Sequence, residues 1–188
     1  MAIQNLKDAG SVEVAAIGSY GVDELTINSS KDGSQPKSLM DSAVHLAIEY
    51  ALDRKRISHV VYAGYSRPSP TMIAPVLGDW HNSDVEAVSF DPTAGNRVLD
   101  DAGCGDSDVD GVREYSDGMP LEYRFMAEDN PSNVCVLETI SDALAQVGIN
   151  TELMLLDYDS QLALTAGVGD SDLNDWKWHM DVHPDFAM

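Results

Sequence analysis

The chain has 188 residues, 44% of them hydrophobic, which is enough to bury a core in one domain. Its 32 acidic residues face only 11 basic ones, for a formal charge of −21. Free nucleic acid is excluded as a partner, since that affinity comes from Lys and Arg neutralising phosphates. No apolar run approaches roughly 18 residues, so no membrane-spanning helix is expected.

The acid is spread along the chain rather than gathered in a tail. Such self-repulsion is tolerable in molar salt, where the Debye length falls to about 3 Å. We read a protein of a high-salt cytoplasm or brine, with an ordinary acidic protein as the alternative. Met1–Gly10 lacks the basic start and apolar core of a signal peptide, so the chain is expected to stay cytosolic until it joins an assembly. Cys104 and Cys135 do not make a disulfide framework, and their pairing is left open.

In chain order, Ser11–Ile17 and Val22–Asn28 alternate and read as a hairpin or two short strands. A polar connector follows. Met40, Val44, Ala47, Ile48 and Ala51 then make a helical stripe, predicting a helix over 38–54 with Ser38 as N-cap and Asp41 three residues on. Arg54-Lys55-Arg56 is placed at the end of that helix, where cations suit the dipole. HVVYAGY (59–65) reads as a strand, followed by a Pro-rich bend and an extended Met72–Leu77. Val85–Phe90 alternates as another strand. The stretch 91–118 is rich in Asp and Gly and reads as a long acidic loop. Leu121–Met126 restores strand alternation. Asn130 and Pro131 then open a helix whose stripe is Val134, Leu137, Ile140, Leu144 and Val147 and whose stop is Gly148. Glu152–Leu156 and Gln161–Ala166 read as strands, and Trp176–Val182 as a last one. The sum is a single α+β domain over 1–188: one mixed β-sheet, two amphipathic helices packed on it and the long acidic loop, with 1–35 as an N-terminal strand extension.

The sharpest local pattern is Asp106-Ser-Asp108-Val-Asp110-Gly111. Carboxylates at positions 1, 3 and 5 and Gly at 6 suit a calcium loop, with the Val112 carbonyl at 7, Glu114 at 9 and Asp117 at 12. The flanks, Arg113 at position 8 and Asp at 12 depart from an EF-hand. A bound Ca²⁺ or monovalent cation and a merely solvated acidic loop both fit. His179, Asp181 and His183 would share one face of a strand, where they could hold a transition metal or simply be wet. His45 and Glu49 lie four apart on a helix flank, as an acid–base or metal pair or an exposed ion pair would. Asp79, His81, Ser66 and Ser69 spell no catalytic motif, and Gly167-Val-Gly169 is too short for a dinucleotide signature. No catalytic or cofactor-binding residue is assigned and no enzymatic activity is expected. Trp176 and Trp178 share one side of a terminal strand, suggesting a protein interface or a core position.

The order from helix 38–54 through HVVYAGYSRPSPTMIAPVLG, the long loop, LEYRFMAEDNPSN and VCVLETISDALAQVG resembles the tail terminator and tail-completion proteins of long-tailed viruses. That resemblance implies a ring-forming structural subunit of a virion, assembled in the host cytoplasm. Its partners would be itself, the tail tube and the connector, with no specific nucleic acid and no membrane. A capsid or decoration protein of a halophilic virus, and a cation-binding module or metal-dependent enzyme of a halophilic cell, are the alternatives.

The charge has a direct consequence. Dilution from molar KCl should lower the melting temperature steadily, because the repulsion of −21 is then unscreened. Circular dichroism melts across a KCl series check this, and a flat or rising midpoint would refute salt adaptation.

Overall fold

The computed structural model describes residues 17–30 and 35–179, with isolated positions 5, 8, 13 and 15 before them. Strands β1 (Gly21–Ile27), β2 (Glu122–Glu128), β3 (Asn150–Leu156) and β4 (Leu173–His179) form one mixed sheet in the order β1-β4-β2-β3. β2 runs parallel to both β3 and β4, and β1 pairs antiparallel with β4 from Gly21↔His179 to Ile27↔Leu173. The expected strand at Ser11–Ile17 lies largely outside the described residues.

Among residues 17–30 and 35–179, five α-helices accompany the sheet: α1 (Ser42–Ala51), α2 (Arg54–Tyr62), α3 (Pro92–Asp101), α4 (Pro131–Ala145) and α5 (Tyr158–Leu162), the last continued by a π turn at Ala163–Gly167. The fold is thus mixed α+β with one four-stranded mixed sheet, but with more helix than expected. α4 starts where the sequence places it: the Asn130 side chain accepts from the Asn133 amide at 3.0 Å and Pro131 stands at the first position. Gly148, at φ +76°, ends the following turn, and a Cβ there would lie 2.6 Å from Arg113 Cγ.

The helix expected over 38–54 is a 3₁₀ turn (Lys37–Met40) followed by α1, capped by Asp41 rather than Ser38. HVVYAGY is not a strand. Asp53 accepts from the Arg56 amide and opens α2, which runs to Tyr62 and stops on left-handed Ala63 and Gly64. Its Val60-Val61 pair suggested a strand, but the cap and the stop decide the matter. Arg54-Lys55-Arg56 therefore begins a helix rather than ending one, and Arg54 is paired with Glu49 across the break. Val85–Phe90 carries no strand. The stretch 91–118 is not all loop, since Asp91 and Pro92 open α3 just as Asn130 and Pro131 open α4. Gln161–Ala166 is helical, because Asp157 accepts from both the amide and the hydroxyl of Ser160.

The core joins α1 (Val44, Ala47, Ile48, Ala51) and α4 (Val136, Leu137, Ile140, Leu144) to Tyr123, Phe125 and Ala127 on one face of β2. α3 packs closely on α1 at Gly95, where a Cβ would come within 3.2 Å of the Ala47 carbonyl. The opposite face of β2 is also covered. Met126 is fully buried there, and Gln161 of α5 donates to Asn174 Oδ1 at 2.8 Å and to the Asp175 carbonyl at 3.0 Å. The loop after α3 is held by Arg113, which donates to Asp100, to the Cys104 carbonyl and to Asn96. Tyr123 donates to Ser38 at 2.9 Å inside the core, where burial raises the phenol's pKa. Cys104 is buried and Cys135 half-buried, and both are free thiols.

Asp175 opposes this packing. It is 5% exposed, and its Oδ2 has no hydrogen-bond partner among the described residues. Burial lifts its pKa from 3.8 to about 6, with Lys177 pulling it down and Asp23 pushing it up. A folded-state pKa above the unfolded one gives stability that is full below about pH 4 and lost as pH rises through about 6. A shift of that size corresponds to ~3 kcal/mol. Asp175→Asn should therefore raise the melting temperature at pH 7.5 and leave it nearly unchanged at pH 4. Paired melts in constant molar KCl check this; an equal difference at both pH values would refute it.

Candidate functional site

The chain passes from β2 through α4 to β3 on one side, then through α5 back to β4 on the other side of β2. The direction of winding reverses between β4 and β2. In open sheets with parallel strands, ligands bind outside the carboxyl ends at such a switch point. Here that edge brings together the ends of β2, β3 and β4, the first turn of α4 and the start of α5.

The two faces of this edge differ in chemistry. On the helix-packed face, Lys177 Nζ donates to Asn133 Oδ1 at 2.7 Å and lies 5.9 Å from the Tyr62 ring centre. Asn133 in turn donates to the Glu128 carbonyl at 2.9 Å. Asp23, the ladder partner of Lys177, accepts from the Tyr62 hydroxyl. Burial and that bond to Asp23 push the Tyr62 phenol far up, so it stays a donor. On the opposite face, Tyr158, Trp176 and Trp178 form a row with ring centres 6.0 and 6.3 Å apart. Tyr158 is 51% and Trp178 39% exposed, and Trp176 is half-buried. Trp178 Nε1 donates to Glu24 Oε1 at 2.6 Å, from the neighbouring strand.

Trp176 and Trp178 thus share a face, as their spacing predicts, and neither belongs to the central apolar cluster. Tyr158, Glu24, Lys177 and Asn133 were not picked out from sequence. The N-cap Asp157 beside Tyr158 and one of five lysines on the last strand were the available signals.

The other sequence-derived sites separate. Asp106, Asp108 and Glu114 place carboxylate oxygens within 4.8 Å of one another. Asp110 and Asp117 are not in that group: Asp110 accepts from the Val112 amide at 2.7 Å and Asp117 from that of Met119 at 3.1 Å. Asp106 accepts from the Asp110 and Gly111 amides, and Glu114 from that of Ser107. These bonds alone account for the turn of the loop. His183 and Asp181 lie outside the described residues. His45 bonds the Leu39 carbonyl at 2.7 Å and Glu49 pairs with Arg54, so they do not act together. His81 Nδ1 meets the Ile73 carbonyl, while Ser69 donates to the Thr71 carbonyl. Gly169 offers its carbonyl to Asn28.

Comparison with known proteins gives a consistent result. The model of the bacterial extracellular solute-binding proteins, family 5, middle region, matches residues 2–188. A probable ABC transporter-binding protein of Deinococcus radiodurans is 23% identical over 63% of this chain and 20% of its own length. The dipeptide-binding protein of Escherichia coli is 25% identical over 85% of this chain and 27% of its own length. The chain therefore spans about a fifth to a quarter of these relatives. Among solved structures, the oligopeptide-binding protein AppA of Bacillus subtilis, in complex with a nonapeptide, superposes with a TM-score of 0.81 at 16% identity, covering 96% of this chain and 36% of that one.

These findings overturn the resemblance to viral tail terminators. Its central element, the Tyr-bearing strand at 59–65, is a helix here, and the remaining likeness was one of element order. The ring of identical subunits, the tail-tube and connector partners, the capsid or decoration alternative and the virion location fall with it. A cytosolic location likewise gives way to a family described as extracellular. The expectation of no enzymatic activity agrees with a family of binding proteins. Among the described residues, no helix is long and apolar enough to cross a membrane. The chain belongs to the family 5 bacterial extracellular solute-binding proteins.

Proposed function

We propose that this chain supplies part of the solute-holding body of an ABC-transporter binding protein, working in a saline medium, and that the carboxyl edge of its sheet lies against the solute. The observation that carries the reading is the row of partly exposed aromatic rings at the switch point, in a family whose relatives are named for binding dipeptides and oligopeptides. Rings of this kind give large contact area at low conformational cost. We take residues 1–188 to act as one unit, and the partner to be a peptide-like solute rather than another copy of the chain. The contact role assigned to Trp176 and Trp178 from sequence is kept, with the solute as the contacted molecule. For the 106–117 loop we infer a structural role, since its carboxylates already serve its own amides.

The test follows from having tryptophans at the edge. Titrating short peptides into the 188-residue chain in molar KCl should quench or shift tryptophan emission and raise the melting temperature. Trp178→Ala should weaken binding by about tenfold, the order expected for truncating an aromatic anchor. If peptides of two to nine residues change neither signal, the reading is wrong. If Trp178→Ala binds as tightly as the parent, the edge is not where the solute lies.

A further inference from the structure

The aromatic row has a charge environment of its own. Glu24 stands opposite Trp176 in the β1–β4 ladder, and its described hydrogen bonds, from Trp178 Nε1 and from Thr26 Oγ1 at 3.1 Å, both fall on Oε1. Glu128 ends β2, the other neighbour of β4 in the sheet. It lies two residues beyond Met126, whose ladder partner is Asn174, and Trp176 lies two beyond Asn174. Alternation therefore puts Glu128 and Trp176 on the same face of the sheet. Glu128 is exposed.

Among the described residues, the cations near the row are turned away or spent. Lys177 leaves the opposite face, bonded to Asn133 beside Tyr62. Arg124, lower on the aromatic face, is forked between Asp170 and Asp172. The edge thus presents three ring systems flanked by two carboxylates, on a chain carrying −21 overall. An ammonium or guanidinium group is attracted by ring faces and by carboxylates alike. A carboxylate would be repelled by both.

We infer that the Tyr158–Trp176–Trp178 row, with Glu24 and Glu128, receives a positively charged side chain of the solute, making cationic peptides the favoured class. This inference rests on the solute-binding reading and adds the charge of the ligand to it. Tyr158 and Trp176 would face the cation, and Glu24 would hold the Trp178 ring while completing the negative rim.

The experiment uses three tripeptides that differ only in the central side chain: Ala-Lys-Ala, Ala-norleucine-Ala and Ala-Glu-Ala. Affinities are measured by calorimetry on the 188-residue chain in molar KCl. At that ionic strength long-range attraction to an acidic protein is screened, and only contact at the row survives. The lysine peptide should bind about tenfold tighter than its norleucine isostere, and the glutamate peptide weakest. Glu24→Gln keeps the acceptor for Trp178 and should shrink the lysine-to-norleucine ratio. Trp176→Leu should shrink it further, with circular dichroism confirming the fold. Equal affinities for the lysine and norleucine peptides would overturn the inference while leaving the solute-binding reading intact. Tight binding of the lysine peptide with a ratio unmoved in both variants would also overturn it, by placing the cation elsewhere. Failure of all three peptides to bind would remove the underlying reading and this inference with it.

Discussion

The joint between β2 and β4 rests on one guanidinium. The ladder between these strands has only two register pairs, Phe125↔Leu173 and Met126↔Asn174. What secures it is Arg124, whose backbone amide and side chain both donate to Asp172, with a further bond to Asp170 at 2.8 Å. The Asp172 side chain is almost fully buried, so this is a charge-assisted fork with little water around the acceptor. On the far side Asn28 grips the same segment through the carbonyls of Gly169 and Ser171, and its amide donates to the Asp172 carbonyl. In a chain with 11 basic residues, placing one here leaves few for the surface. Removing it would strand a buried carboxylate, a far larger loss than that of a surface pair.

The same joint locates the candidate site, because it fixes which strands end side by side. β4 carries alternating chemistry outward from Leu173. Asp175 and Lys177 go to the helix-packed face, and Trp176 and Trp178 to the other. The first pair is inward-looking: the ammonium is anchored on Asn133 and the carboxyl is sealed beneath the helices at an energetic cost. The second pair is outward-looking. The strand thus carries its costly carboxyl on the packed face and its partly exposed rings on the other.

What could be read from sequence, and what could not, follows from the range of the forces involved. α4 was legible because cap, proline, stripe and glycine stop all lie within 20 residues or so. The stripe of α1, the alternation of β2 and the apolar run of β3 were legible for the same reason, although β3 is more exposed than that run suggests. α3 carried an Asp-Pro opening equivalent to the Asn-Pro of α4, but its Asp-rich surroundings hid it. α2 was hidden by two valines, and α5 by its shortness. The pairing of Trp176 with Trp178 was visible as a spacing of two. Tyr158, Glu24 and Glu128 were not, since they reach the tryptophans only through strand pairing and a crossover. Lineage was misread because order and texture of elements are shared by unrelated α+β folds, whereas the family match extends over nearly the whole chain.

The pairing of β1 with β4 also carries a kinetic burden. Residues 21–27 must meet residues 173–179, closing a loop of about 150 residues. Loop-closure entropy grows as the logarithm of length, which puts this ladder at ~4 kcal/mol of ordering before any contact repays it. Such a ladder belongs among the last to form. Until it does, β4 is an unprotected sheet edge with two tryptophans beside it, and β1, which precedes it in the chain, waits unpaired. The hazard is intermolecular strand exchange, in which one chain's β1 caps another chain's β4. Dense negative charge works against that encounter wherever salt leaves it unscreened.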